Sequence, residues 1–119
     1  MFGEACPCGS GDLYAACCGP LHDGVRQAET PEQLMRSRYS AYANGRGDYV
    51  FRTWHPRTRP AEVHPDPDTT WTRLDLIAAH GSEVEFRAHH VTGGRPGTLH
   101  ERSRFEQRAG RWFYLDAAL

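Results

Sequence analysis

The pattern of apolar positions changes near Trp71, from helical spacing before it to strand-like runs after it. The helical part opens with TPEQ, residues 30–33, in which threonine can cap a helix, proline suits its first turn and glutamine can close a capping box. The apolar stripe that follows consists of Leu34, Met35, Tyr39 and Tyr42. The sequence predicts a helix from Thr30 to Asn44 that is stopped by Gly45.

A second, shorter helix is predicted after the first one. Asp48 is a plausible N-cap, and the helix ends before Pro56. Its apolar residues are Tyr49, Val50, Phe51 and Trp54. Residues 57–68 contain three prolines and no periodicity, which predicts a loop that wraps the domain. Near the N-terminus, the Gly-Pro pair at 19–20 predicts a break, followed by a linker to about Glu29.

Four strands are predicted in the second half of the chain, because runs rich in β-branched and aromatic residues are separated by short glycine-containing turns. The predicted strands are 71–79, 83–91, 98–107 and 111–116. The intervening turns are 80–82, 93–97 and 109–110. Three short connections in succession imply an antiparallel meander. Helices followed by such a sheet predict an α+β domain with the helices on one face.

Composition limits the classes of function that the chain can have. A chain of 119 residues with 39% hydrophobic and 24% charged residues suits one domain with a small appendage. Its 14 basic and 15 acidic residues give a net charge of -1, which argues against nucleic-acid binding. We find neither a signal-peptide pattern nor an apolar run of membrane-spanning length. We therefore expect a cytoplasmic protein with reduced thiols and no membrane association.

All four cysteines lie within the segment CPCGSGDLYAACC. They form two close pairs, Cys6 with Cys8 and Cys17 with Cys18. Disulfides are unattractive at this spacing in a reducing compartment, and a redox pair would favour Cys-x-x-Cys at the start of a helix. Four soft donors flanking a glycine-rich turn suit tetrahedral zinc, so we expect a closed, structural Zn²⁺ site. The fourth ligand is either Cys18 or His22, since adjacent residues rarely both reach one ion.

The cysteine segment resembles a known zinc-binding module. Cys-x-Cys-Gly-Ser-Gly, Tyr14 and then Cys-Cys-Gly look like the SEC-C motif, which is found at the carboxy terminus of the preprotein translocase motor and in stand-alone proteins. The resemblance implies that the zinc ligands are Cys6, Cys8, Cys17 and Cys18. It also implies that residues 1–24 form a protein-docking module rather than an active site.

The rest of the chain resembles a second family. The order and lengths of its elements resemble the nuclear transport factor 2-like (cystatin-like) fold, a cone of helices packed on a curved antiparallel sheet. The motifs LMRSRY at 34–39, TWHP at 53–56, LHERSRF at 99–105 and GRW at 110–112 look like the YchJ family of uncharacterised bacterial proteins. The resemblance implies that residues 25–119 form this α+β domain.

A candidate pocket follows from the alternation within LHERSRF. If Leu99 and Phe105 face the core, Glu101 and Ser103 face it too, and the carboxylate then needs a partner. Arg38 or a tyrosine hydroxyl from the first helix is the natural candidate. The candidate pocket residues are Arg38, Tyr42, Trp54, Glu101, Ser103, Trp112 and Tyr114. A buried ion pair that fixes the fold explains these residues as well as a ligand pocket does. No catalytic residue is predicted, because no nucleophile–base pair is spaced convincingly.

Two functions remain at this point. In the first, the chain is an adaptor whose zinc knuckle binds a protein partner, as the resemblance to the translocase tail suggests. In the second, the cone binds or converts a small molecule and the zinc knuckle is a structural staple. The resemblance favours the adaptor. Whether the chain is an enzyme stays open at this point, and a non-catalytic role is the expectation.

Overall fold

A four-stranded antiparallel sheet forms one layer of the molecule, in the order β1-β2-β3-β4. The computed structural model describes residues 3–118, so the outermost ends of the two predicted domains lie outside the described residues. The strands are β1 Thr69–His80, β2 Glu83–Thr92, β3 Arg95–Arg108 and β4 Arg111–Ala117. The predicted meander is confirmed, with β1 and β3 longer than predicted at both ends and β2 and β4 longer by one residue each.

The largest difference is at the start of β3, where a loop over residues 93–97 was predicted. Thr92 pairs with Arg95, so only Gly93 and Gly94 form the turn, both with positive φ (56° and 81°). Pro96 lies within β3 opposite Val91. This end of β3 pairs with β2 alone, since β4 begins its pairing at Ser103, and a proline is tolerated where the missing N–H faces a free edge.

The helices are α1 Cys18–His22, α2 Pro31–Ala43 and α3 Gly47–Arg52, preceded by a 3₁₀ turn at Tyr14–Ala16. Thr30 caps α2 as predicted, with its hydroxyl oxygen accepting a 3.0 Å hydrogen bond from the N–H of Gln33. The side chain of Gln33 accepts from the N–H of Glu29, one residue before the position that a capping box requires. Gly45, at φ 71°, follows the end of α2.

Two details of the predicted helices are wrong. Asp48 lies inside the first turn of α3 rather than at its cap, and its carboxylate accepts hydrogen bonds from Arg46 and Arg52. Trp54 lies beyond α3, where it forms an isolated bridge with Tyr114 of β4. The segment after α3 therefore runs beside the outer edge of β4 instead of continuing the helix.

The Gly-Pro pair at residues 19–20 is also placed differently from the prediction. Both residues lie inside α1 rather than at a break. Proline is tolerated there because it falls in the first turn of a helix, where its N–H would have no partner. A Cβ atom on Gly19 would come within 2.8 Å of the Tyr14 carbonyl oxygen, so glycine lets α1 pack against the preceding 3₁₀ turn.

The main core lies between α2 and the inner face of the sheet. From α2 it takes Leu34, Met35 and Tyr39, and from the strands it takes Val84, Phe86, Ala88 and Phe105. Arg38 shares this buried face of α2 and is 6% exposed. An arginine on the core face places its charge in the interior, where the pocket was predicted.

Candidate metal centre and cavity

A short hairpin brings the two cysteine pairs together. Ala5 and Leu13 form a bridge, and the N–H of Cys6 donates to the carbonyl of Asp12 at 2.9 Å. Gly9 and Gly11 have positive φ (78° and 90°), which allows the tight turn between them. The hairpin thereby presents its first two thiols towards the start of α1.

The four thiols form one compact cluster. The sulfur atoms of Cys6, Cys8, Cys17 and Cys18 all lie within 4.8 Å of one another. Cys8 and Cys17 are 3.7 Å apart, and Cys17 and Cys18 are 3.9 Å apart. A tetrahedral zinc site with Zn–S bonds of about 2.3 Å places its sulfurs about 3.8 Å apart. The cluster therefore fits a tetrahedral metal ion, and all four cysteines are free of disulfides.

Two adjacent cysteines reach the cluster because the backbone bends between them. Cys17 has φ -121° and ψ -97°, outside both the helical and the extended regions. Cys18 then begins α1, with 2% of its surface exposed. The bend removes the objection that adjacent residues point in different directions.

Hydrogen-bonding groups surround the thiols. The hydroxyl of Ser10 lies 3.2 Å from the Cys17 sulfur, and that of Ser40 lies 3.4 Å from the Cys6 sulfur. The neighbouring Cys18 thiol lowers the pKa of Cys8 to about 4, while its interaction with Cys8 raises the pKa of Cys18. The two hydroxyls are placed to hydrogen-bond thiolate sulfurs and so to offset the charge that four such ligands carry.

His22 does not belong to this cluster. Its Nε2 donates to the carbonyl of Ser37 at 2.8 Å, so the neutral ring accepts at Nδ1 from the Tyr14 hydroxyl at 2.7 Å. Burial lowers the pKa of His22, which keeps it neutral. Both nitrogens are occupied, and the ring connects the cysteine module to α2.

Three arginines fasten the same module to the domain. Arg36 donates to the carbonyl of Cys8 at 2.7 Å, and Arg46 donates to that of His22 at 3.1 Å. Arg52 donates to the carbonyls of Leu21 and His22. These hydrogen bonds hold the cysteine module, residues 4–22, against α2 and α3. They are accepted by backbone carbonyls of the module and so do not depend on its side chains.

A cavity of about 330 Å³ lies between α2 and the inner face of the sheet. Six of the seven candidate pocket residues line it, namely Arg38, Tyr42, Trp54, Glu101, Ser103 and Tyr114. Trp112 is not among its lining residues and packs against the core instead. The sequence-based pocket set lacks seven lining residues, namely Met35, Tyr39, Trp71, Phe86, Ala88, Leu99 and Phe105. Phe86 and Ala88 lie opposite Glu101 and Leu99 across the β2–β3 pairing. For Phe86 and Ala88, the alternation within β2 was the available signal.

Arg38 and Glu101 both line the cavity, but they do not form the ion pair that was considered. Arg38 donates from Nη1 to the Val50 carbonyl at 2.9 Å and to the Thr53 hydroxyl at 2.8 Å. Glu101 accepts at Oε2 from the hydroxyls of Ser103 at 2.6 Å and Tyr114 at 3.1 Å. The tyrosine partner of the carboxylate thus comes from β4 rather than from α2, the helix from which it was predicted.

Aromatic rings take the place of a counter-ion around Arg38. The guanidinium carbon lies 4.6 Å from the ring centre of Tyr114 and 5.2 Å from that of Trp54. Burial lowers the pKa of Arg38 and raises that of Tyr114. The tyrosine hydroxyl therefore stays a donor, and it connects the cationic and anionic sides of the cavity.

His55, in the TWHP motif, forms a separate buried site. Its Nε2 donates to Glu106 at 2.8 Å, and its Nδ1 accepts from the N–H of Arg57 at 3.0 Å. With both nitrogens occupied, the ring holds the loop after α3 against β3. Within residues 3–118, no helix is both long enough and apolar enough to cross a membrane.

Comparisons with known proteins agree with this architecture. Residues 30–117 match the family model described as YchJ, middle NTF2-like domain, and residues 4–20 match the SEC-C motif. A UPF0225 protein of Deinococcus radiodurans is 57% identical over 117 residues, which cover 97% of this chain and 89% of that protein. One from Streptomyces coelicolor is 49% identical over 118 residues, which cover 93% of this chain and 92% of that protein.

Two solved structures share the fold. The solution structure of a SEC-C motif containing protein from Rhodopseudomonas palustris has a TM-score of 0.83 and 38% identity, and covers 98% of this chain and 97% of that one. The crystal structure of such a protein from Psychrobacter arcticus has a TM-score of 0.76 and 28% identity, and covers 96% and 81%. Both resemblances inferred from the sequence are confirmed, and the chain belongs to the YchJ family, with a SEC-C motif before its NTF2-like domain.

Proposed function

We propose that this chain binds a small molecule in the cavity between α2 and the sheet. We also propose that a structural zinc ion orders the cysteine module, which packs against α2. The cavity itself carries the proposal. Its volume of about 330 Å³ falls within the range of about 300–1,000 Å³ that is typical of ligand sites. Its walls are apolar and aromatic, with a few polar groups pointing inward, as in most such sites.

Zinc suits the cysteine cluster because four thiolates in tetrahedral spacing are its preferred structural ligands. Four protein ligands leave no position for water, so the ion supplies cross-linking rather than catalysis. A module of this size buries too little apolar surface to fold alone, and metal binding then supplies its folding free energy. The contacts from Arg36, Arg46 and Arg52 transmit that order to α2 and α3.

A fragment screen on the zinc-loaded protein tests ligand binding. We expect fragments of cavity size to raise the melting temperature and to shift the indole resonances of Trp54 and Trp71, both of which line the cavity. Ala88→Leu should fill part of the cavity and abolish binding. Ala79→Leu, at an exposed position in β1, is the matched control and should leave binding unchanged. A screen with no hit on the folded protein would contradict the proposal.

A second candidate function is the adaptor role of the SEC-C module. The turn from Gly9 to Leu13 is exposed, and the Leu13 side chain is 46% exposed at its end. A protein partner would bind this turn, since the opposite side of the module is packed on α2. Leu13→Asp should release a partner that Val25→Asp, at another exposed apolar residue, retains. Retention of the same partners by both variants would exclude this turn as the docking site.

A further inference from the structure

Arg38 carries hydrogen-bond donors that the described residues leave unpaired. A guanidinium has five N–H groups. Among residues 3–118, Arg38 donates only from Nη1, to Val50 and Thr53. Nε and Nη2 make no hydrogen bond with these residues, and neither is among their buried unpaired atoms. These two nitrogens are therefore accessible, and a ligand in the cavity that Arg38 lines can supply their acceptors.

The charge around Arg38 is also unbalanced. Arg38 forms no ion pair with a carboxylate among the described residues, although it is only 6% exposed. Glu101, the carboxylate that lines the same cavity, has its Oε2 engaged by Ser103 and Tyr114. Burying a cation without an anionic partner is costly, so an anion placed beside the guanidinium is favoured.

The orientation of Arg38 is fixed before any ligand binds. Its Nη1 is held by two acceptors, and its guanidinium carbon packs against the adjacent rings of Tyr114 and Trp54. The unpaired edge is the one formed by Nε and Nη2, which presents two N–H groups side by side. Such a pair matches the two oxygens of a carboxylate, and a fixed guanidinium loses little entropy on forming both bonds.

The remaining walls suit an apolar ligand body. Tyr39 and Tyr42 contribute aromatic surface from α2, and Trp71 packs edge-on against Tyr39. Leu99 is 41% exposed and lines the cavity, so it marks the opening to solvent. At about 30 Å³ for each water-sized unit, a volume of about 330 Å³ holds a ligand of about ten non-hydrogen atoms.

We infer that the ligand is a small monocarboxylic acid with an aromatic or apolar body, whose carboxylate binds the Nε–Nη2 edge of Arg38. Its body lies against Tyr42 and Trp71. Glu101 selects against a second carboxylate on the ligand through like-charge repulsion. This assignment rests on the proposed function, because it requires the cavity to bind a small molecule.

Three probes of one shape test the assignment on the zinc-loaded protein. Phenylacetate carries the carboxylate, phenylacetamide is its neutral counterpart, and phenethylamine is cationic. We expect phenylacetate to bind at least about tenfold more tightly than the amide, measured by calorimetric titration, and the amine to bind more weakly than both. Phenylacetate should also shift the Nε–H resonance of Arg38, a readout that needs no variant.

Other outcomes separate this assignment from the proposed function. Equal affinity for the acid and the amide, or a preference for the amine, would overturn the carboxylate assignment and leave ligand binding intact. Failure of all three probes would also overturn it, whereas the fragment screen alone decides whether the cavity binds any small molecule.

A pair of variants tests the role of Arg38. Arg38→Met should reduce the preference for phenylacetate over phenylacetamide to about onefold. Arg87→Met is the matched control, since Arg87 is exposed on the outer face of β2, and it should keep the full preference. If Arg38→Met does not fold, Arg38→Lys retains the charge without the paired N–H edge. Either of two results would contradict bidentate binding. One is an undiminished preference for phenylacetate in the Arg38→Lys variant, and the other is an Arg38 Nε–H resonance that phenylacetate does not shift in the wild type.

Discussion

The guanidinium of Arg38 lies over the ring of Tyr114, 4.6 Å from its centre. The hydroxyl of the same tyrosine donates to Glu101, so one residue contacts both charged side chains of the cavity. Arg38 and Glu101 therefore contact different parts of Tyr114, the ring and the hydroxyl, instead of forming an ion pair with each other. Among the described residues, the Nε and Nη2 groups of Arg38 make no hydrogen bond, which is the basis of the ligand proposal above.

Replacement of Tyr114 should separate the roles of its ring and its hydroxyl. Tyr114→Phe keeps the ring under Arg38 and removes the hydrogen bond to Glu101, at an expected cost of about 1–2 kcal/mol. Tyr114→Leu also removes the cation–π contact, and we expect a further loss of about 1 kcal/mol. Urea denaturation of both variants measures the difference. Equal stability of the two would show that the ring contact with Arg38 contributes nothing.

Metal content should distinguish the two candidates for the fourth zinc ligand. We expect Cys18→Ser to lose bound zinc, because its thiol belongs to the four-sulfur cluster. His22→Gln should keep one zinc ion per chain but lose about 1–3 kcal/mol of stability, since His22 hydrogen-bonds both Tyr14 and Ser37. Elemental analysis with thermal melting measures both quantities. Zinc loss in the His22 variant with retention in the Cys18 variant would reverse the assignment.

Mild acid should destabilise the protein through His22. Burial lowers the pKa of His22 in the folded state below its usual value of about 6.5, so the unfolded chain takes up a proton that the folded chain does not. Stability therefore falls as pH drops below about 6.5. His22→Gln should lose less stability than the wild type between about pH 7.5 and about pH 5.5.

Urea titrations at several pH values measure this effect. Zinc content has to be followed in each sample, because protonated thiolates release metal over the same range. Parallel losses of stability in the wild type and the His22 variant would mean that His22 makes no contribution.

The cap of α2 provides a prediction that is independent of metal and ligand. Thr30→Ala should cost about 1 kcal/mol, because the hydroxyl of Thr30 satisfies the N–H of Gln33 at 3.0 Å. Thr30→Ser retains the hydroxyl and should remain within about 0.5 kcal/mol of the wild type. Chemical denaturation of the two variants is the measurement. A serine variant as unstable as the alanine variant would point to lost packing instead of a lost cap.

Local patterns were sufficient for most of the secondary structure. The cap at Thr30, the stop at Gly45 and the alternation within LHERSRF each depend on a few neighbouring residues, and the structure has them as predicted. The start of β3 could not be found in this way. Pro96 is acceptable in a strand only because that part of β3 has a free edge, and edges depend on how all four strands are ordered.

The sequence by itself determined the strand order, the face of β3 that carries Glu101, and the clustering of four soft ligands, since these follow from turn length, alternation and spacing. Only the tertiary structure decided the partners of the buried charges. Arg38 is on α2, Tyr114 on β4 and Glu101 on β3, and their contacts depend on how the helix lies across the sheet. It likewise placed His22 on Ser37 and Tyr14 rather than on the thiols, because the backbone bend at Cys17 and the packing of α1 on α2 set the direction of that ring.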